Sequence, residues 1–493
     1  MNHTSSLMQK ARQYEQEHAA QITTSQRPLF HLTPQIGWMN DPNGFCYYKG
    51  QYHLFYQYYP YDRVWGPMHW GHAVSSDLLH WQYFPAALAP DTPADQNGCF
   101  SGGATPMPDG QLLLVYTGVR PDPAGGPDLQ AQCVAIGNGM DLEKQSGNPV
   151  IDAGLLPKGY SAHDFRDPKV WQENGLYHCV AVSDHPQNRG SALLFESEDG
   201  LRWQFCTVLA ASNGQLGGMW ECPDFFALDD TQVLVVSPME MQPDAAGEFK
   251  AGKNTMALLG CYDPAAARFT PQAAQRLDHG LEFYAPQTTL APDGRRILIS
   301  WLESWESCGS GPRTAPWFGR MTLPRQLKVQ NGRLYQNPVQ ELEALWQNTV
   351  CHTGAFIPNS KITLQDIRGR CIDLHVTLRL AESPACSCFV LRFAQNEQYF
   401  TQITYRAAQQ RLEFDRSHSG CRRNGPHDCA VTVCPEDGAL TLRLILDTDS
   451  AELFINHGQR TMSCLLDTPA QAEGITFCAE GGLWADVVMH TLG

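Results

Sequence analysis

No uninterrupted apolar run in this sequence is long enough to cross a bilayer, and its first twenty residues, MNHTSSLMQKARQYEQEHAA, lack the apolar centre of an export signal. Both absences lead to the expectation of a cytoplasmic protein without a membrane partner. Basic residues are scarce: 35 Lys and Arg stand against 51 Asp and Glu, a formal charge of −16. With no basic stripe, nucleic acid is a poor partner and a neutral small molecule is easier to accommodate. No Gly-rich phosphate loop precedes a helix, so no cofactor is expected. No metal is expected either, because the Cys421, His427, Cys429 and Cys434 group lacks paired C-x-x-C spacing, and His69 and His72 read as hydrogen-bonding loop residues. Seventeen cysteines, an odd number, read as reduced thiols rather than a disulfide framework. Helix signals are also nearly missing between residues 20 and 338, which excludes an α/β or helical architecture for that stretch.

What is present is turn chemistry. Thirty-three Pro and 42 Gly are spread along 493 residues, enough chain for roughly two to four domains made of many short elements. Ser5 to Ala20 holds good helix formers behind a Ser cap and predicts a short amphipathic helix. After it, five stretches share one outline: a polar or aromatic opening, a β-rich segment, a Gly or Asp turn, and an apolar strand. They run from Asn40-Asp41-Pro42 to Gln57, Ser101-Gly102-Gly103 to Gly118, Arg166-Asp167-Pro168 to Ser183, Glu221-Cys222-Pro223 to Pro238, and Tyr284-Ala285-Pro286 to Trp301. Their turns, at Gly50, Gly110, Gly175, Asp230 and Gly294, are separated by steps of 60, 65, 55 and 64 residues. Each step holds about four short strands, the content of one propeller blade. The echo between Ser76-Asp77-Leu78-Leu79-His80-Trp81 and Glu198-Asp199-Gly200-Leu201-Arg202-Trp203 fits an outer hairpin repeated two blades later.

Beyond residue 338 the texture changes. Asn337 to Trp346 reads as a short helix with Pro338 at its first position. Alternating runs follow, such as Cys371–Leu378, Leu440–Leu446 and Ala451–Ile455, at the spacing of a β-sandwich. The predicted fold class is all-β: a five-bladed β-propeller followed by a C-terminal β-sandwich. The expected boundaries are 1–30 for an N-terminal helical extension, 31–337 for the catalytic propeller, 338–350 for a helical linker and 351–493 for the sandwich.

If the opening strand of each repeat lines the central channel, Asp41, Asp167 and Glu221 share one mouth with Trp38, Trp65, Phe100, Tyr284 and Trp301. Singly, each acid reads as a turn or cap residue. Together they are what glycoside cleavage needs: an attacking carboxylate, a proton donor, and flat rings for the apolar face of a sugar.

Six motifs carry a resemblance to glycoside hydrolase family 32, the β-fructofuranosidases: invertases, sucrose-6-phosphate hydrolases and fructanases. They are Trp38–Gly44, Trp65–His72, Phe100–Thr105, Phe165–Lys169, Trp220–Asp224 and Phe283–Gln287, together spanning residues 30 to about 325. The resemblance implies a propeller followed by a sandwich and a retaining reaction through a covalent fructosyl-enzyme. It implies Asp41 as nucleophile, Glu221 as general acid and then base, and Asp167 as transition-state stabiliser with Arg166. Asn40, Gln57, Trp65, Phe100, Ser101, Tyr284 and Trp301 are the further substrate-binding residues it implies. Such a division of labour leads us to expect a lowered pKa for Asp41, a raised one for Glu221, and about 5–5.5 Å between the two carboxyls. Two positions depart from the family pattern, Gly103 for Ser and Glu282 for Asp, and they touch substrate detail rather than the reaction. The expected substrate is sucrose or sucrose 6-phosphate, with Arg63, Arg313 and Arg320 as nearby anion-binding candidates. The alternatives are an exo-acting fructanase on inulin- or levan-type chains, a fructosyltransferase using the same intermediate, and a non-catalytic carbohydrate-binding propeller.

Overall fold

The computed structural model describes residues 5–244, 247–308, 315–420 and 423–493. Helix α1 spans Ser6–His18, and the Ser5 side chain accepts from the Met8 N–H at 3.1 Å, meeting one of the orphan donors of the first turn. It buries Met8, Ala11 and Glu15. Glu15 accepts from the Ala86 N–H at 3.1 Å and Arg12 Nε donates to the Ala86 carbonyl at 3.0 Å, so the helix is tied to the strand Gln82–Leu88. Among the described residues no helix is long and apolar enough to cross a membrane.

The rest is β. Five antiparallel hairpins account for the five repeats: Gly37–Tyr48 with Gln51–Tyr59, Gly98–Pro106 with Leu112–Arg120, Phe165–Glu173 with Leu176–Ser183, Trp220–Leu228 with Thr231–Pro238, and Tyr284–Leu290 with Arg296–Trp301. Each begins its own sheet, and further strands add outward in sheets of four or five. Burial falls in the same direction: Leu112–Gly118 is wholly buried, whereas most of Arg268–Arg276 is exposed. The opening strand of each hairpin packs against that of the next, and the fifth packs against the first. Trp317–Phe318, from beyond the fifth hairpin, then pairs in parallel with Gly37–Trp38 and joins the end of this stretch to its beginning. Polar bridges cross the centre. Gln287 donates to the Gly102 carbonyl at 2.8 Å and accepts from the Phe45 N–H at 3.2 Å, while Lys169 donates to the Thr288 carbonyl at 2.7 Å and pairs with Asp224 at 3.3 Å. Gly103 stands where a Cβ would lie 2.9 Å from the Val170 nitrogen, which gives the Gly-for-Ser departure a reason: the second and third hairpins approach too closely for a side chain.

The expected short helix does not start at Pro338 but two residues later. Pro338 pairs with Arg325 as the last residue of an edge strand, Arg333–Pro338, where its missing N–H costs nothing, and a 3₁₀ turn follows over Gln340–Leu345. The strand Trp346–Ile357 then begins the C-terminal region. A six-stranded and a five-stranded antiparallel sheet there share one core, with Leu374, Val376, Leu444 and Leu453 from one and Phe389, Leu391, Ile403, Phe414 and Phe477 from the other.

The joint between the two regions is charged and buried. His31 lies between Asp447 and Glu452 at 2.8 and 2.9 Å, Arg325 bonds Asp278 and Glu452 at 3.0 and 2.6 Å, and Arg416 bonds Glu282 at 2.8 and 2.9 Å. Arg320 is drawn to Asp449 in this joint and stacks on Trp317. Its guanidinium thus already has a carboxylate partner. Arg63 donates to the Ala315 carbonyl, and Arg313 lies outside the described residues.

Candidate active site

Every one of the five hairpins carries a register shift where its opening strand reaches the centre: between Met39 and Pro42, Phe100 and Gly102, Arg166 and Lys169, Glu221 and Asp224, and Tyr284 and Gln287. Such a bulge re-aims side chains and leaves a residue out of the ladder. Pro168, Pro223 and Pro286 sit inside these bulges, where a missing N–H is tolerated, Pro42 resumes the pairing after the first, and Asp167, Cys222 and Ala285 adopt left-handed φ of 61°, 50° and 53°. Repeated bulges thus turn one short segment from each hairpin toward a common cavity.

That cavity, of about 310 Å³, is lined by Asn40, Asp41, Gln57, Trp65, Phe100, Ser101, Gln130, Asp164, Arg166, Asp167, Glu221 and Trp305. The three acids named from the sequence therefore converge, with Asn40, Gln57, Trp65, Phe100, Ser101 and Arg166. Trp65 is 47% exposed at the rim and meets Phe100 edge-on at 5.9 Å. Tyr284 is buried behind Glu221 and donates its hydroxyl to Oε2 at 2.5 Å. Trp301 is fully buried beneath the pocket, and Trp305, 5.1 Å from it between ring centroids, forms the wall instead. Lys253, Thr117 and Trp305 carry no signal in the sequence. Lys253 comes from the stretch ahead of Met256–Asp263, and Thr117 accepts the Asp167 N–H at 2.9 Å. His69 and His72 lie in the strand His69–Ser75 rather than in a loop, and burial pushes the His69 imidazole down to about 4. A larger cavity of about 520 Å³ lies beneath α1; Asp91, Asp141 and Glu143 are among its lining residues, and its Lys144 is held by Asp91 and Asp95 at 2.6 Å each.

The charges are ordered differently from the expectation. Burial and the negative charge of Glu221 raise the Asp41 carboxyl above its usual range; bonds from Ser101 and Asn40 pull it back only in part. Asp41 Oδ2 accepts from Ser101 Oγ at 2.9 Å and lies 3.6 Å from Cys222 Sγ, and Oδ1 has no partner among the described residues. Burial also raises Asp167, to about 7, against the opposing charge of Arg166. Its Oδ2 accepts from the Cys222 N–H at 3.0 Å. Glu221 goes the other way. Burial would raise it, but Arg166 at 3.3 Å, Lys253 at 3.2 Å and the Tyr284 hydroxyl together hold it below the ordinary glutamate value. Arg166 also pairs with Asp164 at 3.1 Å and reaches Asp167 at 4.0 Å. Three carboxylates facing two cations titrate as a unit, so a proton added to the cluster is shared rather than owned.

Among the described residues no group of three His, Cys, Asp or Glu side chains could hold a metal ion; Cys421 lies outside them. The cysteines described are all free, Cys222 among them.

Family models agree with this geometry along nearly the whole chain. The model for the glycosyl hydrolases family 32 N-terminal domain matches residues 31–338, and that for the family 32 C-terminal region matches 341–491. The sucrose-6-phosphate hydrolase of Escherichia coli is 38% identical over 478 residues, covering 93% of this chain and 94% of that protein. The raffinose invertase of Escherichia coli is 35% identical over 469 residues, 93% and 94% of the two chains. Among solved structures, the Bombyx mori GH32 beta-fructofuranosidase superimposes with a TM-score of 0.82 at 32% identity over 98% of both chains. The sucrose-6-phosphate hydrolase from Lactobacillus gasseri gives 0.85 at 27% over 99% of both. With two family models accounting for all but its ends, the chain belongs to glycoside hydrolase family 32.

Proposed function

We propose that the protein is a retaining β-fructofuranosidase that hydrolyses the fructosyl bond of sucrose or sucrose 6-phosphate, built as a five-bladed propeller with a C-terminal β-sandwich. The contact of each hairpin with the next and the parallel closure at Trp317–Phe318 support the propeller. The observation that carries the function is the convergence of Asp41 and Glu221 on one cavity beside Asp167 and Arg166. In this reading Asp41 attacks the anomeric carbon of the fructosyl unit while Glu221 gives its proton to the departing glycosidic oxygen. Glu221, now ionised, then takes a proton from water, whose oxygen displaces Asp41 from the anomeric carbon. Asp41 Oδ1, without a protein bond, is the atom suited to attack. Asp167 and Arg166 grip the sugar hydroxyls, with Asn40, Gln57 and Ser101 beside them and Trp65, Phe100 and Trp305 as flat walls. The arrangement around Glu221 favours its ionised form, which suits the second half-reaction. For the first, the proton comes from the shared pool of the cluster, which Asp167 holds to about 7. The substrate partner is a small sugar, and the location cytoplasmic.

The names of the Escherichia coli and Lactobacillus gasseri relatives support the phosphorylated substrate. Trp65, exposed at the rim, supports a second reading as an exo-acting fructanase, since it offers a platform beyond the terminal unit. Fructose release from sucrose is the test, comparing wild type with Asp41→Ala and Glu221→Gln. The account expects Asp41→Ala to be inactive and Glu221→Gln to lose about 10²–10⁴-fold in kcat. Equal rates in all three, or no turnover by wild type on any fructoside, would leave a sugar-binding protein instead. Comparing kcat/KM on sucrose, sucrose 6-phosphate and inulin assigns the substrate.

A further inference from the structure

The fifth hairpin serves the site twice. Its opening residue, Tyr284, donates to Glu221, and the turn after its second strand delivers Trp305 to the cavity wall. Each flank of this hairpin carries a glutamate, Glu282 two residues before Tyr284 and Glu303 two residues before Trp305, and both are about 1% exposed or less. Each glutamate meets an arginine from one C-terminal segment. Arg416 forks onto Glu282 at 2.8 and 2.9 Å, and Arg423 Nη1 lies 3.5 Å from Glu303 while its Nε holds Asp467 at 3.1 Å.

The backbone follows the same joint. The N–H groups of Leu281 and Glu282 donate to the Ser463 carbonyl at 3.0 and 3.1 Å. On the other flank, Ser304 closes a tight turn by accepting from the Ser307 and Cys308 N–H groups, and the Gly425 backbone passes so close that a Cβ there would lie 3.6 Å from Glu306. The Trp305 turn is therefore packed on the C-terminal region on one side and faces the sugar cavity on the other. Its ring lies 6.2 Å from that of Trp38 and 5.6 Å from the Lys253 ammonium, so its placement also bears on the cation that holds Glu221.

We propose that Arg423 is a positioning residue for the active site: through Glu303 it sets the Trp305 wall, which makes the C-terminal region part of the substrate-binding machinery and not only a stabilising partner. Arg416 performs the matching task for the Tyr284 flank. The departure at Glu282 fits this, because a side chain one methylene shorter than Glu would fall short of the fork that Arg416 offers. The inference rests on the proposed hydrolysis, since its effect is read in sugar binding.

The test is a double-mutant cycle between Arg423→Leu and Trp305→Ala on the full chain, with KM and kcat for sucrose measured well below the melting temperature of each variant. Arg423→Leu is expected to raise KM by about tenfold with a smaller change in kcat, and Arg423→Lys to recover most of it. In the Trp305→Ala background, Arg423→Leu should change KM by less than about twofold, because the wall it places is already gone. If Arg423→Leu fails to fold, Glu303→Gln keeps the shape and removes the charge, and it is read in the same cycle. A wild-type KM in these variants, or effects that multiply independently of Trp305, overturns the assignment. No turnover by wild type would instead remove the proposed hydrolysis on which it rests.

Discussion

Replacing Lys253 by Met should move the alkaline limb of fructoside hydrolysis to higher pH. Lys253 Nζ lies 3.2 Å from Glu221 Oε2, in side chains that are 23% and 19% exposed. An opposite charge this close, and mostly shielded from water, shifts a carboxyl by roughly 1–3 pH units, at about 1.4 kcal/mol per unit. The ammonium favours the ionised carboxylate, so its removal raises the pKa of Glu221. The first half-reaction needs Glu221 protonated, and that fraction falls as pH rises through its pKa; the alkaline limb of kcat/KM follows it. Arg166 at 3.3 Å and the Tyr284 hydroxyl at 2.5 Å remain after the substitution, so the expected shift lies at the lower end, about one unit. Methionine retains the length of the side chain over the Tyr284 and Trp305 rings, and Lys253→Arg keeps the charge as a control. The assay is kcat/KM on sucrose from acidic to mildly alkaline pH at constant ionic strength. An alkaline limb that stays in place, or moves down, refutes the claim that Lys253 governs the proton on Glu221.

Other outcomes follow from the same physics. Burial would lower the pKa of His31, but bonds to Asp447 and Glu452 outweigh it and raise it from 6.5 to about 9. A raised histidine stabilises fully below its unfolded value and less as pH climbs to the folded one. Stability should therefore fall by about 3 kcal/mol between pH 6.5 and 9, and His31→Gln should flatten that part of the urea-unfolding profile. Asp167, raised to about 7, is costly to ionise in the fold, so stability attributable to it grows as pH drops from 7 toward 4. Asp167→Asn should then stabilise the fold at pH 8 by on the order of 1–3 kcal/mol, read as a higher melting temperature, while kcat collapses; a lower melting temperature contradicts the sign. Gly103→Ser should destabilise by about 1–3 kcal/mol in thermal melts, because its Cβ would press on the Val170 nitrogen at 2.9 Å.

The acids were legible in the sequence because each opens a repeat whose Gly or Asp turn and apolar second strand mark its register. Pro42, Pro168 and Pro223 flag the bulges that turn them inward. Lys253 and Trp305 were not legible, since both come from connections outside the hairpins and reach the cavity only through packing. This also explains the reversed charge order. Trp220, the neighbour of Glu221 in the chain, does not keep it dry: adjacent residues of a strand project to opposite faces, and Trp220 is buried in a separate core with its indole bonded to the Leu216 carbonyl at 2.8 Å. The groups that govern Glu221 stand 55 and 32 residues away, at Arg166 and Lys253. Arg320, close to the site in sequence, is not among the cavity-lining residues and pairs with Asp449 of the C-terminal region. Pro338 resembled a helix start because Pro suits a first turn as well as the last position of an edge strand, and only the pairing with Arg325 distinguishes the two.

The central claim, that Asp41 attacks and Glu221 handles the proton at one shared bond, is tested most directly by trapping the intermediate. Glu221→Gln, incubated with an activated fructoside that needs no acid assistance to leave, should accumulate a covalent fructosyl adduct, since deglycosylation then lacks its base. Peptide mapping by mass spectrometry should place that adduct on the peptide containing Asp41. An adduct on Asp167, or steady turnover with no adduct at all, contradicts the account.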